Sequence, residues 1–166
     1  GCSQEVEPEN KLPEEKPTTE SYVPGNLDYL EDTKVQVLRV EGENFQPGAE
    51  PKNMIDGNLK TGYHSKWDVS STDYWPITLD FYFKDVSQID CLKYYPRLEG
   101  SNGLFKEVEI WTATKANPQL VKNMNFDFGG VSSPTKVNFS NSLLNPIQIR
   151  IIVKSGVNNL AQCSEM

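Results

Sequence analysis

Two runs of strict period-two alternation constrain this 166-residue chain most. In Ile77-Thr78-Leu79-Asp80-Phe81-Tyr82-Phe83, the residues Ile77, Leu79, Phe81 and Phe83 share one face. In 147–153, Ile147, Ile149, Ile151 and Val153 face one way, with Gln148, Arg150 and Lys154 opposite. A period of two is that of a half-buried strand, because successive side chains leave opposite faces of the backbone. Similar runs occur over 34–40, 88–95, 105–112 and 135–139. Turn signals separate them: Gln46-Pro47-Gly48, Asp56-Gly57-Asn58, Gly100-Ser101-Asn102-Gly103, Gly129-Gly130 and Asn145-Pro146. No segment sustains a 3.6-residue period, and 50–55 is compatible with one short helical turn. Several short strands at this spacing predict an all-β fold, a β-sandwich with jelly-roll topology.

Charge divides the chain. The formal net charge is −7, and residues 1–33 carry all of it, with nine acidic side chains against Lys11 and Lys16. Fourteen acids and fourteen bases remain in 34–166. A neutral domain of this kind has no field to draw nucleic acid or anionic lipid. The head of the chain is rich in Glu, Pro, Thr and Asn and nearly lacks aliphatic residues, so it cannot bury enough apolar surface to order itself. Residues 1–27 are therefore predicted to be a disordered acidic tether, and 28–166 the folded domain. Pro8, Pro13, Pro17 and Pro24 stiffen that tether, whose reach is about 30–70 Å.

Gly1-Cys2-Ser3 at the head matches the junction at which bacterial lipoproteins are cut and diacylated. Cys2 is the predicted lipid anchor, which would hold the chain to a membrane without a spanning helix. The expected location is that of an exported bacterial lipoprotein, at the cell surface or outer membrane. No apolar run approaches the ~20 residues of a membrane span. Cys91 and Cys163 each lie in a strand-like run, as two small buried thiols or as a disulfide; spacing does not decide between them.

Four residues in turn-rich segments carry the chemistry. His64, the only histidine, lies in a polar loop with Trp67 three residues on, and Arg97 and Asn102 follow in Pro/Gly-rich turns. Imidazole, guanidinium and carboxamide supply directional hydrogen bonds to hydroxyls, and an indole offers a flat apolar face to sugar C–H groups. Together they predict a sugar-binding surface. Asn102 before Gly103 is also an ordinary turn pair. Trp75, opening a strand, and Trp111, closing one, read as packing residues. Asp56-Gly57-Asn58-Leu59-Lys60-Thr61 could present the Asp56 carboxylate, the Thr61 hydroxyl and backbone carbonyls to Ca²⁺, with Glu165 as a further oxygen. It is not an EF-hand, since the twelfth position from Asp56 is Trp67, and an Asp-Gly turn without metal is the alternative. No zinc-ligand spacing, Gly-x-Ser-x-Gly elbow, P-loop or dinucleotide fingerprint is present, so no enzyme is predicted.

Several ordered strings are similar to one family: Asn53-Met54-Ile55-Asp56-Gly57-Asn58, Thr61-Gly62-Tyr63-His64-Ser65, Ile77-Thr78-Leu79-Asp80-Phe81, Tyr95-Pro96-Arg97, Asn102-Gly103 and Ala161-Gln162-Cys163-Ser164-Glu165-Met166. Over 34–166 the chain resembles the coagulation-factor type C, or discoidin, domain, and within it the bacterial galactose-binding-like modules of carbohydrate-binding module family thirty-two. The resemblance implies a jelly-roll β-sandwich, a sugar site in loops at one end, and a structural calcium. It places the sugar-binding histidine on His64, the stacking aromatic on Trp67, the hydroxyl-binding pair on Arg97 and Asn102, and the calcium ligands on Asp56, Asn58, Thr61 and Glu165. Leu160 stands where an aromatic commonly forms the other wall of the sugar site, and Tyr63 where a core tryptophan is common. The resemblance also implies that the chain is a piece of a longer protein, a surface glycosidase or mucin-directed metallopeptidase. The expected function is a monomeric, non-catalytic module that binds terminal galactose or N-acetylgalactosamine and targets a linked enzyme to host or mucin glycans. The alternative is a discoidin-like protein-interaction or adhesion domain without sugar binding.

Overall fold

A computed structural model describes residues 34–68 and 74–166. The predicted tether, the predicted lipid anchor at Cys2 and the first residues of the predicted domain, 28–33, lie outside the described residues. Among the described residues there are nine strands: β1 Arg39–Glu41, β2 Tyr63–His64, β3 Ile77–Tyr82, β4 Gln88–Tyr94, β5 Glu107–Thr114, β6 Val121–Asp127, β7 Thr135–Leu144, β8 Pro146–Val153 and β9 Gln162–Cys163. A five-stranded antiparallel sheet runs β1-β3-β8-β5-β6, and two further antiparallel pairs are β4-β7 and β2-β9. This is the predicted all-β jelly-roll sandwich.

The alternating runs form the core. Ile77, Leu79 and Phe81 of β3 and Ile149, Ile151 and Val153 of β8 turn inward, and they meet Ile89 and Leu92 of β4 and Val137 and Phe139 of β7. Ile147 departs from the pattern and is only partly buried. The pairing of β5 with β8 slips between Ala113 and Thr114, so the alternation breaks at that end of the strand. On the outer face, Asp80 lies opposite Arg150 and takes two hydrogen bonds from its guanidinium, at 2.8 and 3.1 Å.

Three elements differ from the sequence expectation. The run 34–40 yields strand only at Arg39–Glu41, although the Leu38 N–H still donates to the Tyr82 carbonyl at 2.8 Å. Strand β6 was not predicted: it is a largely exposed edge whose Lys122, Asn123 and Asn125 hide its alternation. His64, expected in a polar loop, instead ends the two-residue strand β2, because its backbone pairs with β9; the expected helical turn is a 3₁₀ segment, Pro51–Ile55. Cys163 is a free, buried thiol, so the Cys91–Cys163 bridge is not formed. Among the described residues no helix is long and apolar enough to cross a membrane.

Buried aromatics set the end of the sandwich where the turns gather. Tyr94 stacks on Phe105 with centroids 4.5 Å apart, and its hydroxyl donates to the Gln162 carbonyl at 2.8 Å. Tyr63, at the position where the resemblance expects a core tryptophan, is fully buried and donates to the Asn44 carbonyl at 2.7 Å. These two phenols tie the short pair β2-β9 to the core.

Candidate functional site

The pairing of β2 with β9 sets His64 opposite Gln162. Ser65 extends the pairing: its N–H donates to the Ala161 carbonyl at 2.8 Å, and its hydroxyl accepts the Ala161 N–H at 2.9 Å. Beside this pair is an opening of about 370 Å³ whose lining includes Thr61, His64, Arg97, Glu99 and Gln162. The His64 imidazole is half-buried there, with Nδ1 2.7 Å from the Ser65 carbonyl. A carbonyl only accepts, so Nδ1 carries the hydrogen and Nε2 is left with its lone pair. Burial lowers the imidazole's pKa below the ordinary histidine value; the Ser65 carbonyl opposes this, and the nearby Arg97 charge reinforces it.

Arg97 is clamped by its own loop. Its Nε donates to the Glu99 carbonyl at 2.6 Å and its Nη1 to the Asn102 carbonyl at 2.8 Å. Three of its five N–H donors are not used in those contacts. The backbone N–H of Arg97 donates to Gln162 Oε1 at 2.8 Å, and Gln162 Nε2 donates to the Ser164 hydroxyl at 3.0 Å. The clamp depends on the turn beneath it. Gly103 has φ +86°, and a Cβ there would lie 2.8 Å from both the backbone N and the Cβ of Gln162.

Trp67 and Asn102 adjoin the opening without lining it. Trp67 is 67 % exposed, and its ring meets the His64 ring edge-on at 6.5 Å and 88°. The Trp67 N–H donates to Gln46 Oε1 at 3.0 Å. Asn102 offers its carbonyl to Arg97 and its Oδ1 to Asn158 Nδ2 at 2.6 Å. His64, Trp67, Arg97 and Asn102 therefore form one contiguous group at one end of the sandwich. Leu160 does not join its surface: it is buried at 8 % exposure and supplies no open wall. An aliphatic side chain gains by leaving water, and the backbone of this segment is closely packed, with the Leu160 carbonyl 1.9 Å from where a Cβ at Gly156 would lie.

Sequence reasoning missed Gln162 and Asn158 as supports of this group. Neither has a local signature, since each acts through a strand pairing or a loop contact far away in the chain. Trp75 and Trp111, predicted to pack, are both partly buried, and Trp111 Nε1 donates to Glu109 at 2.9 Å.

Next to the opening lies the loop 56–61. Asp56 Oδ1 accepts the Asn58 N–H at 2.9 Å, while Thr61 Oγ1 contacts Asp56 Oδ2 and stands 3.0 Å from the Asn58 carbonyl. One hydroxyl proton cannot serve both acceptors, so three oxygens converge. Glu165, 2 % exposed, holds its Oε1 3.1 Å from the Gly57 N–H. This hard-oxygen set fits Ca²⁺, for which Asp56, Asn58, Thr61 and Glu165 would be the ligands, supplying charge neutralisation and loop rigidity. Among the described residues no group of three or more His, Cys, Asp or Glu side chains could hold a metal, so backbone and hydroxyl oxygens would have to complete the shell.

Residues 34–166 match the sequence profile of the F5/8 type C domain. The chain belongs to that family. No curated protein matches it by sequence. Solved structures share the type C fold. The family 32 carbohydrate-binding module of Clostridium perfringens NanJ, in complex with galactose, has a TM-score of 0.65 at 22% identity, over 76% of this chain and 88% of that one. CpGH89CBM32-5 from the same organism, in complex with GalNAc-β-1,3-galactose, has a TM-score of 0.66 at 18% identity, covering 78% and 96%. The C-terminal domain of a chitobiase from Bacteroides fragilis has a TM-score of 0.59 at 20% identity, covering 78% and 89%. At these identities the likeness is one of fold, and the type C domain's chemistry here rests on its own residues.

Proposed function

We propose that this type C domain is a non-catalytic carbohydrate-binding module for terminal galactose-type sugars. The observation that carries the reading is the shared opening of His64 and Arg97, with the exposed Trp67 indole edge-on to His64. His64 Nε2 accepts a hydrogen bond from a sugar hydroxyl, and the unused Arg97 N–H groups donate to the same or the adjacent hydroxyl. An axial hydroxyl fits between such an acceptor and donor; an equatorial one leaves one of them unpaired in a partly desolvated site, which is the basis of discrimination. Trp67 covers the C–H face of the ring, in keeping with the galactose and GalNAc-β-1,3-galactose bound by the two clostridial modules.

Each sugar hydroxyl exchanges good bonds to water for bonds to protein, so the net gain is small, with a Kd of about 0.1–1 mM. A module of that strength acts by proximity, holding a linked enzyme near its glycan. A glycan array of the chain, paired with calorimetric titration of galactose, N-acetylgalactosamine and glucose, tests the reading. Selective binding of the first two, lost in His64→Ala, is expected. Equal binding of glucose, or retention by His64→Ala, removes the assignment.

A further inference from the structure

The Glu165 carboxylate already has a cation. Lys34 Nζ lies 2.6 Å from Glu165 Oε2, joining residues 131 positions apart, and the lysine side chain is 39 % exposed while the carboxylate is 2 % exposed. A carboxylate this deeply buried is costly to keep charged unless paired. Its other oxygen takes the Gly57 N–H at 3.1 Å, so this one carboxylate joins Lys34 on one side to loop 56–61 on the other. Asp56 lies close enough for its charge to bear on Glu165. The site therefore has two carboxylates and one ammonium, a net charge of −1. A calcium ion would leave it at +1 with the lysine in place and neutral without it.

We propose that Lys34 is a tethered counter-ion that competes with Ca²⁺ for Glu165, so that this domain keeps its calcium loop closed without metal and binds the metal weakly. The ammonium belongs to the chain itself and cannot be removed by a chelator, whereas a metal can. A divalent ion entering beside it meets like-charge repulsion at close range, and the same repulsion disappears when the lysine does. This inference concerns the loop's stability and is independent of the sugar reading.

The test uses the chain itself, with thermal unfolding in chelator and in calcium, and calorimetric titration of Ca²⁺. The wild type is expected to melt within about 2 °C in the two conditions. Lys34→Met is expected to melt lower in chelator, to recover in calcium, and to bind Ca²⁺ about tenfold or more tightly than the wild type. Lys34→Arg should behave as the wild type. Lys34→Met combined with Glu165→Gln should lose the calcium response, because the buried charge is gone. Solubility of Lys34→Met only with calcium also supports the proposal. A wild type that loses as much in chelator as Lys34→Met overturns it, and so does a Lys34→Met variant that binds Ca²⁺ no tighter. Failure of that variant to fold in either condition likewise overturns it, because a metal would then be unable to replace the ammonium.

Discussion

Gln162 Oε1 accepts the backbone N–H of Arg97 at 2.8 Å across 65 residues of chain, and Gln162 also faces His64 across the β2-β9 pair. One amide side chain thus sets the spacing of the two groups proposed to hold a sugar hydroxyl. Gln162→Ala leaves the Arg97 N–H without that partner, an effect of about 1–3 kcal/mol. Sugar affinity is expected to fall about tenfold, with a lower melting temperature, in calorimetry and thermal unfolding. Unchanged affinity would show that the Arg97 loop holds its shape without Gln162.

Arg97 is more than a charge. Its Nε and Nη1 grip the Glu99 and Asn102 carbonyls, and a lysine has no planar fork to do so. Arg97→Lys is therefore expected to lose most binding, close to the loss in Arg97→Ala, despite its retained charge. Titration of galactose against both variants decides the matter.

Protonation of His64 converts its Nε2 from acceptor to donor. The folded-state pKa is lowered by burial, so the neutral form is favoured around neutrality. Affinity is expected to be flat above the ordinary histidine value of 6.5 and to decline only as the pH falls below it, through the lowered pKa. A decline that begins above that value would contradict the assigned direction. Chemical shifts of the lone histidine, followed with pH, locate the titration directly.

Trp67, 67 % exposed, contributes little to the core. Trp67→Ala is expected to leave the melting temperature within about 2 °C of wild type while weakening sugar binding. Galactose should shift the tryptophan emission of the wild type but not of this variant. A shift that persists without Trp67 assigns the contact to another indole.

Gly103 supports the Arg97 clamp through its backbone. At φ +86°, with Gln162 2.8 Å from a would-be Cβ, Gly103→Ala incurs both strain and a clash. A loss of about 1–3 kcal/mol is expected in denaturant unfolding, together with weaker sugar binding. Wild-type stability in this variant would show that the turn relaxes freely.

The all-β class, most strands and the candidate group itself were legible in the sequence, for local reasons. Alternation in 77–83 records burial residue by residue, and His64, Trp67, Arg97 and Asn102 stand out by side-chain type within turn-rich segments. Strand β6 escaped because an exposed edge needs no apolar alternation. The supports escaped for a different reason. The role of Gln162 depends on which strand β2 chooses as partner, and that of Lys34 on meeting Glu165 at the other end of the chain. Leu160 is buried on a segment whose backbone packs against Gly156, which no local alternation records. Periodicity reports whether a residue faces a core; pairing across distant segments is settled only when the whole sandwich closes, because those contacts gain nothing until the intervening chain is ordered.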